Sequence, residues 1–273
     1  MGSAQSKAEE VAVRQNLKRN KRPLNILILG HTGAGKSTFI NSMQMALGHK
    51  WCDMARSGSG YGQNITFLLT KYEMFLDENN ETPVEGYAHK VCFWDCAGFT
   101  DHGDDVYVNF IGRVLEGCVP DGTNVLDASN QLRDDAERVL SQFSERDPSR
   151  KFHRIVLLLE ADKPLPRNLM EAVRQAAEVR DRAIPLFLLI TKLDKIGTNN
   201  QAYEERKQEA LQALNLVGEN QKFCETYLYC NAKCRRNHLQ QFNPVAEIDK
   251  RLMAFCFNLT NSSYEQGTVY ENP

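Results

Sequence analysis

Nine consecutive residues could do chemistry by their types and spacing alone. Gly30-His31-Thr32-Gly33-Ala34-Gly35-Lys36-Ser37-Thr38 fits the pattern G-x-x-x-x-G-K-[ST]. Glycines at these positions let the backbone curl until successive N–H groups point inward at phosphate oxygens. A helix opening at the end of the loop adds the positive end of its dipole. Lys36 is then placed for the β- and γ-phosphates, as both a binding and a catalytic cation, and the Ser37 hydroxyl is placed for Mg²⁺. All nine residues are candidate nucleotide contacts.

Such a loop needs a strand before it and a helix after it. Leu24-Asn25-Ile26-Leu27-Ile28-Leu29, bounded by Pro23 and Gly30, reads as a buried strand. Phe39, Ile40, Met43 and Leu47 recur at helical spacing and predict a helix over 37–47. A glycine turn with a chance Lys-Ser is the bland alternative, and this setting argues against it.

The segment 48–65 is rich in Gly, Ser and other polar residues and reads as a loop. In a nucleotide switch such a segment closes over the γ-phosphate, and one Thr binds Mg²⁺. Thr66 and Thr70 are the candidates; Thr66 is preferred, as metal ligand and catalytic residue, because it ends the loop before a strand over 67–75. A second strand over 88–94 is expected to pair with it as a hairpin. It runs into Asp95-Cys96-Ala97-Gly98, a D-x-x-G element: Asp95 would hold Mg²⁺ through water, and the Gly98 N–H would meet the γ-phosphate. Phe99 follows, where small GTPases of the Ras type carry a Gln that orients the attacking water. A phenyl ring cannot do this, so hydrolysis needs another group or a partner, or is slow. His31 and His102 lie near in sequence, as bystanders rather than as replacements.

Val106, Phe110, Ile111 and Val114 suggest a helix, and after it residues 117–150 read as an inserted surface segment, partly helical over 132–143. The apolar run 155–159 reads as a central parallel strand, 165–182 as an amphipathic helix and 184–190 as another buried strand. That strand leads into Thr191-Lys192-Leu193-Asp194. A carboxylate at Asp194 can accept from guanine N1–H and the exocyclic amine together. Adenine offers no such donor pair, so an unpaired acceptor would penalise ATP. Lys192 would lay its stem along the ring, and Thr191 stands where Asn is usual, at the expected loss of a loop-bracing contact. A helix over 202–216 and a strand over 227–230 follow. The strand would place Asn231-Ala232-Lys233, with Ala232 and Lys233 as base contacts. Val245, Ile248, Leu252, Phe255 and Leu259 share one face of a closing helix.

Phosphate loop, D-x-x-G and T-K-x-D stand in the order of a GTPase, each after a strand. The expected fold class is α/β, a P-loop GTPase G domain. Its central sheet is mostly parallel with one antiparallel edge hairpin, and helices cover both faces. The expected organisation is a basic, disordered arm over 1–23, a G domain over 24–260 and a flexible tail over 261–273. The expected ligands are GTP or GDP with Mg²⁺, and the expected activity is slow GTP hydrolysis by a switch protein. A non-hydrolysing nucleotide-binding scaffold and an ATP-using protein are the alternatives.

Bulk properties agree with a globular domain. Of 273 residues, 42% are hydrophobic and 25% charged, enough for a substantial core. The net charge of −2 supplies no field to recruit nucleic acid. Eight cysteines contain no C-x-x-C pair, and with a phosphate loop they read as free thiols of a reducing, cytoplasmic compartment. No secretory leader is expected. The first residues, Met1-Gly2-Ser3-Ala4-Gln5-Ser6, fit the N-myristoylation pattern, and Lys7, Arg14, Lys18, Arg19, Lys21 and Arg22 follow. One acyl chain with a basic patch is a two-signal membrane anchor. A solvated arm, or a cloning remnant beginning Met-Gly-Ser, is the other reading.

Residues 24–43, the loop 57–72, Asp95 to Phe99, Leu115-Glu116-Gly117 and Phe242-Asn243-Pro244 resemble the interferon-induced protein 44 family of GTP-binding proteins. The resemblance covers roughly 24–257. It implies a dynamin-superfamily-like G domain in the cytoplasm, linked to antiviral or antiproliferative responses, with self-association or a regulatory protein partner possible. The clear T-K-x-D departs from family members with degenerate base-binding motifs and favours guanine. Asp95-Cys96-Ala97 departs from the more usual Asp-Thr.

Overall fold

The computed structural model describes residues 4–19, 23–48, 51, 54–55, 67–74, 90–99, 105–179, 182–196, 200–229, 235–236, 241–242 and 245–264. Gly2, Thr66, His102, Ala232, Lys233 and residues 265–273 lie outside them.

A six-stranded sheet organises the chain. Its strands are β1 (Leu24–Gly30), β2 (Thr70–Glu73), β3 (Val91–Asp95), β4 (Arg154–Glu160), β7 (Leu186–Thr191) and β8 (Phe223–Glu225), in the order β2-β3-β1-β4-β7-β8. Every pairing is parallel except β2 with β3, which is the antiparallel edge expected from the sequence. Two minor hairpins, β5 (Glu178–Val179) with β6 (Arg182–Ala183) and β9 (Arg235–Arg236) with β10 (Gln241–Phe242), stand apart from it.

Because side chains alternate across a strand, β1 feeds two cores. Ile26 and Ile28 face α2 (Lys36–Gly48) and α8 (Ala246–Leu259), where Phe39 stacks on Phe93 at 5.7 Å and meets Phe255 edge-on at 6.2 Å. Leu27 and Leu29 face the other core, with α3 (Asp105–Leu115), α6 (Arg167–Ala177) and α7 (Gln201–Ala213). Helices therefore cover both faces. The strand order reverses around β1, so loops after β1, β3, β4, β7 and β8 meet at the carboxyl edge, where open α/β sheets bind ligands.

The N-terminal arm differs from the expected disordered chain. Ala4–Arg19 is a helix, α1, and it docks on α8. Val13 is buried, and Asn16 Nδ2 donates to the Phe257 carbonyl at 3.2 Å. The charge count drew attention to the arginines and lysines; the interleaved Val13 and Asn16 decide the outcome by finding partners some 240 residues away in the chain.

The segment after α3 is also more integrated than a surface insertion. It forms α4 (Val125–Gln131), α5 (Ala136–Gln142) and a 3₁₀ turn at Pro148–Arg150. Asn124, Asp135 and Asp147 cap the three starts with their side chains. Leu132, Val139 and Phe143 enter the core, and Phe143 meets Phe110 of α3 at 5.9 Å. The segment also grips the chain just after Thr66. Leu69 N donates to Thr123 O at 2.9 Å, Gly122 N to Leu69 O at 2.8 Å, and Lys71 N to Asp121 Oδ1 at 3.1 Å.

One polar residue in β1 ties these parts together. Asn25 is buried; its Nδ2 donates to Ser149 O (2.8 Å) and Lys151 O (3.1 Å), and its Oδ1 accepts from Trp94 Nε1 (3.1 Å). Asn25→Ala would strand the Trp94 indole N–H in the interior and release the Ser149 and Lys151 carbonyls from their shared donor. We expect it to cost about 2–4 kcal/mol. Urea unfolding measures this as a lower midpoint at an unchanged slope, and an unchanged midpoint would contradict it.

Candidate functional site

The site is built on the turn between β1 and α2. Gly30, at φ +149°, ends the strand where a Cβ would lie 2.5 Å from the Leu158 carbonyl oxygen, so only glycine fits. Gly33 and Gly35 also take positive φ, and Ala34 N closes the turn on His31 O at 3.1 Å. The curled backbone expected of a phosphate loop is present. Lys36 is buried, and its Nζ donates to Gly30 O at 3.1 Å and His31 O at 3.0 Å. The ammonium thus lies along the inside of the loop. Burial lowers its pKa, against the opposing pull of Asp95, then Cys96 and Glu160.

Ser37 and Asp95 arrive from different elements. The parallel register sets Asp95 opposite Ile28 at the end of β3, beside the first turn of α2. Ser37 Oγ donates to Asp95 Oδ2 at 2.5 Å. Asp95 is 1% exposed, and its Oδ1 has no hydrogen-bond partner among the described residues. Burial raises the Asp95 carboxyl above its ordinary value, opposed by Lys36 and the Ser37 hydroxyl. A hydroxyl and a carboxylate side by side, with one carboxylate oxygen unsatisfied, fit Mg²⁺, which takes few protein oxygens and keeps several waters. Cys96, next along, is a buried thiol pushed up to about 12 by burial. It is inert at neutral pH.

Gly98 packs directly on the loop. A Cβ there would fall 2.3 Å from Thr32 Oγ1 and 2.4 Å from Thr32 N. The D-x-x-G turn and the phosphate loop are therefore in contact, and glycine is required for the approach. Phe99 turns away, 3% exposed, with its ring edge-on to Tyr107 at 5.3 Å.

The turn from Thr191 to Asp194 reaches the same edge. The loop-bracing contact expected to be lost at Thr191 is kept: the buried Thr191 Oγ1 donates to Ala34 O at 2.8 Å, with Leu159 O at 3.2 Å as the alternative acceptor. A hydroxyl on a short stem suffices because Glu160 and Thr191 end their strands as direct partners, level with the loop. Lys192 has a left-handed backbone, φ 60° and ψ 34°, and its ammonium pairs with Glu160. Asp194 sits in the 3₁₀ turn Leu193–Lys195, on the wall of a cleft of about 260 Å³ shared with Leu193, Thr226, Tyr227, Glu247 and Arg251.

The strand expected over 227–230 is displaced. It is β8, Phe223–Glu225, in register with Leu188 to Ile190. Tyr227-Leu228-Tyr229 alternates like a strand but lies in the loop beyond it. There Tyr229 is fully buried as a plug, its N–H donating to Ser42 Oγ (3.1 Å) and its hydroxyl to Asp249 Oδ1 (2.6 Å). The loop that closes on Asp194 therefore begins at Thr226, and Leu228 comes within 3.4 Å of a Cβ built on Gly35. Sequence reading missed Thr226, Tyr227, Leu228 and Glu160. For Glu160 the signal existed: a lone acidic residue ends an apolar strand, as Asp95 does.

No family model matches the chain. One curated protein, interferon-gamma-inducible GTPase 10 of Mus musculus, is 54% identical over 39 residues, which is 14% of this chain and 9% of that relative. Solved structures are similar over almost the whole length. Toc33 from Arabidopsis thaliana in complex with Mg²⁺ and GMPPNP superposes with a TM-score of 0.51 at 14% identity, covering 94% of this chain and 93% of that one. Toc33 in complex with GDP and Mg²⁺, and a dimerization-deficient Toc33 mutant, each give 0.50 at 14% identity, with 95% and 93% covered. The fold is that of a P-loop GTPase G domain.

The raised Asp95 carboxyl has a consequence for stability. The folded chain holds that proton more tightly than the unfolded chain, so this group's contribution to stability is lost as pH rises through the folded value. Asp95→Asn is therefore expected to raise the thermal midpoint of the nucleotide-free protein at neutral pH, by about 2–4 °C per kcal/mol recovered. The same change should abolish stabilisation by Mg²⁺ with nucleotide. Differential scanning fluorimetry with and without both measures the pair of effects; a lower midpoint for the empty variant would contradict the assignment.

Proposed function

We propose that this chain is a guanine-nucleotide-binding switch that uses Mg²⁺ and hydrolyses GTP slowly. The observation that carries the reading is the Ser37–Asp95 contact, at 2.5 Å, beside a buried Lys36 on a glycine loop. These are the groups such a site needs for the triphosphate and its metal, brought together from two elements 58 residues apart.

In this mechanism Lys36 leaves the Gly30 and His31 carbonyls and donates to the β- and γ-phosphates, and the loop N–H groups take the remaining oxygens. Ser37 and Asp95 would hold Mg²⁺, which would supply charge neutralisation to the phosphates. The Gly98 N–H meets the γ-phosphate beside Thr32, and Thr66 serves as the switch ligand. Asp194 accepts from the guanine edge while Thr191 keeps the base turn braced to the loop at Ala34. Backbone donors and Lys36 stabilise the charge that spreads over the transferred phosphoryl group. Water positioning is the weak part, because Phe99 is committed to the core. Turnover by a dilute monomer is accordingly slow, and self-association or a regulatory partner supplies the missing group. Retention of nucleotide without hydrolysis, as a scaffold, is the second reading, favoured by the same burial of Phe99.

The resemblance to the interferon-induced protein 44 family, with the short match to an interferon-gamma-inducible GTPase, supports a role in an interferon-type response. The Toc33 structures with GMPPNP, GDP and Mg²⁺ support the ligands. A cytoplasmic location, with membrane attachment through acylated Gly2 and the basic arm, completes the reading. Intact mass of protein from native cells tests the acyl group, and an unmodified Gly2 would remove it.

Asp194→Ala should weaken GTP binding by about two orders of magnitude, from loss of two charge-assisted hydrogen bonds, and cost ATP binding far less. Competition titrations decide this; equal loss for both would overturn the base assignment. Single-turnover phosphate release gives the rate, and fast release by a dilute monomer would contradict slow hydrolysis.

A further inference from the structure

Glu160 has no part in the mechanism above, yet it lies at the centre of the site. It ends β4, opposite Thr191 in the last rung of the β4–β7 ladder. Its side chain is only 9% exposed. One carboxylate oxygen, Oε1, lies 3.8 Å from where a Cβ on Gly33 would sit, against the phosphate loop. The other, Oε2, accepts from Lys192 Nζ. A single carboxylate therefore bridges the loop that takes the phosphates and the lysine that takes the base.

A lysine that lies along a base ring must hold an extended stem in one place. That stem is flexible, with about 2 kcal/mol of rotamer entropy, and ordering it costs affinity when done on binding. Lys192 is directed by its left-handed backbone and tethered at its tip by Glu160, so the ordering is done before the ligand arrives. The pair is shielded: the lysine side chain is 24% exposed and the carboxylate 9%, so solvent and salt screen it less than an open surface pair.

We infer that Glu160 is a positioning residue for nucleotide recognition: it anchors the Lys192 ammonium so that the lysine stem forms a preset rail for the purine ring. This rests on the guanine-nucleotide reading and adds a residue to it. The opposing possibility is physical too. A buried carboxylate beside Gly33 could instead repel the phosphates and act as a gate, and the two roles predict opposite signs.

The test is a double-mutant cycle on GDP affinity, read with a fluorescent GDP analogue at fixed Mg²⁺. Glu160→Gln keeps the shape and removes the charge; Lys192→Met keeps the stem and removes the ammonium. Glu160→Gln should weaken binding about tenfold, the scale of one freed side chain. In the Lys192→Met background it should have no further effect, because the group it acts through is gone. A merely structural role would give the same loss in both backgrounds, and that result overturns the proposal. Tighter binding by Glu160→Gln overturns it in favour of the gate, and no change overturns it outright. Should Glu160→Gln fail to fold, Glu160→Asp, one methylene too short to reach, completes the same cycle. Lys36→Ala is the control for the underlying reading. If the wild type binds no GDP, or Lys36→Ala leaves binding unchanged, the nucleotide assignment fails and takes this one with it. If Lys36→Ala abolishes binding while the cycle shows no coupling, the role of Glu160 alone is wrong.

Discussion

The hydrogen bond from Ser37 to Asp95 joins two opposed requirements. A buried carboxylate and a buried ammonium are each costly to desolvate, and burial drives both toward neutrality. Nothing in the local sequence of either element would keep them there. The parallel β1–β3 register does, by setting Asp95 level with Ile28, while two apolar cores clamp the strands from both faces. The stability of the cores offsets the cost of holding a buried polar cluster, which is the usual relation between a scaffold and its site.

The second half of the site hangs on the first. The Thr191 hydroxyl reaches across to the Ala34 carbonyl, so the turn carrying Lys192 and Asp194 is fixed to the turn carrying Gly33 and Lys36. A shift of either loop moves both. On the far side the same logic applies to the segment after α3. By pairing with Leu69 and Lys71 it fixes the exit of the chain that leads from Thr66, and by holding Ser149 and Lys151 on Asn25 it is tied to β1 itself. Residues that look like an insertion in sequence are thus a wall beside the candidate site.

The sheet and the phosphate loop were legible because short continuous apolar runs and fixed glycine spacing carry local information. The runs at 24–29, 155–159 and 184–190 became β1, β4 and β7, and the hairpin at the edge formed as expected. The failures share one cause, which is tertiary pairing that leaves no local period. Tyr227-Leu228-Tyr229 alternates like a strand, but the Tyr229 ring packs as a plug between α2 and α8, and the true strand is the less apolar Phe223-Cys224-Glu225. The N-terminal arm looked like a polyelectrolyte because charge is counted along the chain, whereas the α8 surface that receives Val13 lies at the other end of it. Thr191 looked like a weakened Asn because the distance to Ala34 is a property of the fold, not of the tetrapeptide.

Phe99 bears on the proposed hydrolysis. Its ring meets Tyr107 of α3 edge-on, and its neighbour Gly98 packs on Thr32. These contacts commit the residue after the D-x-x-G turn to the core. In the proposed mechanism, the group that steers water must then come from outside this set of residues. Groups that grip the ligand equally in its ground and transition states raise affinity without raising the rate. The Thr191 brace and the Asp194 carboxylate would be of that kind, whereas the loop amides and Lys36 would also meet the charge that spreads over the transferred phosphoryl group. On the reading proposed above, such a site would hold its nucleotide well and turn it over when a partner completes it.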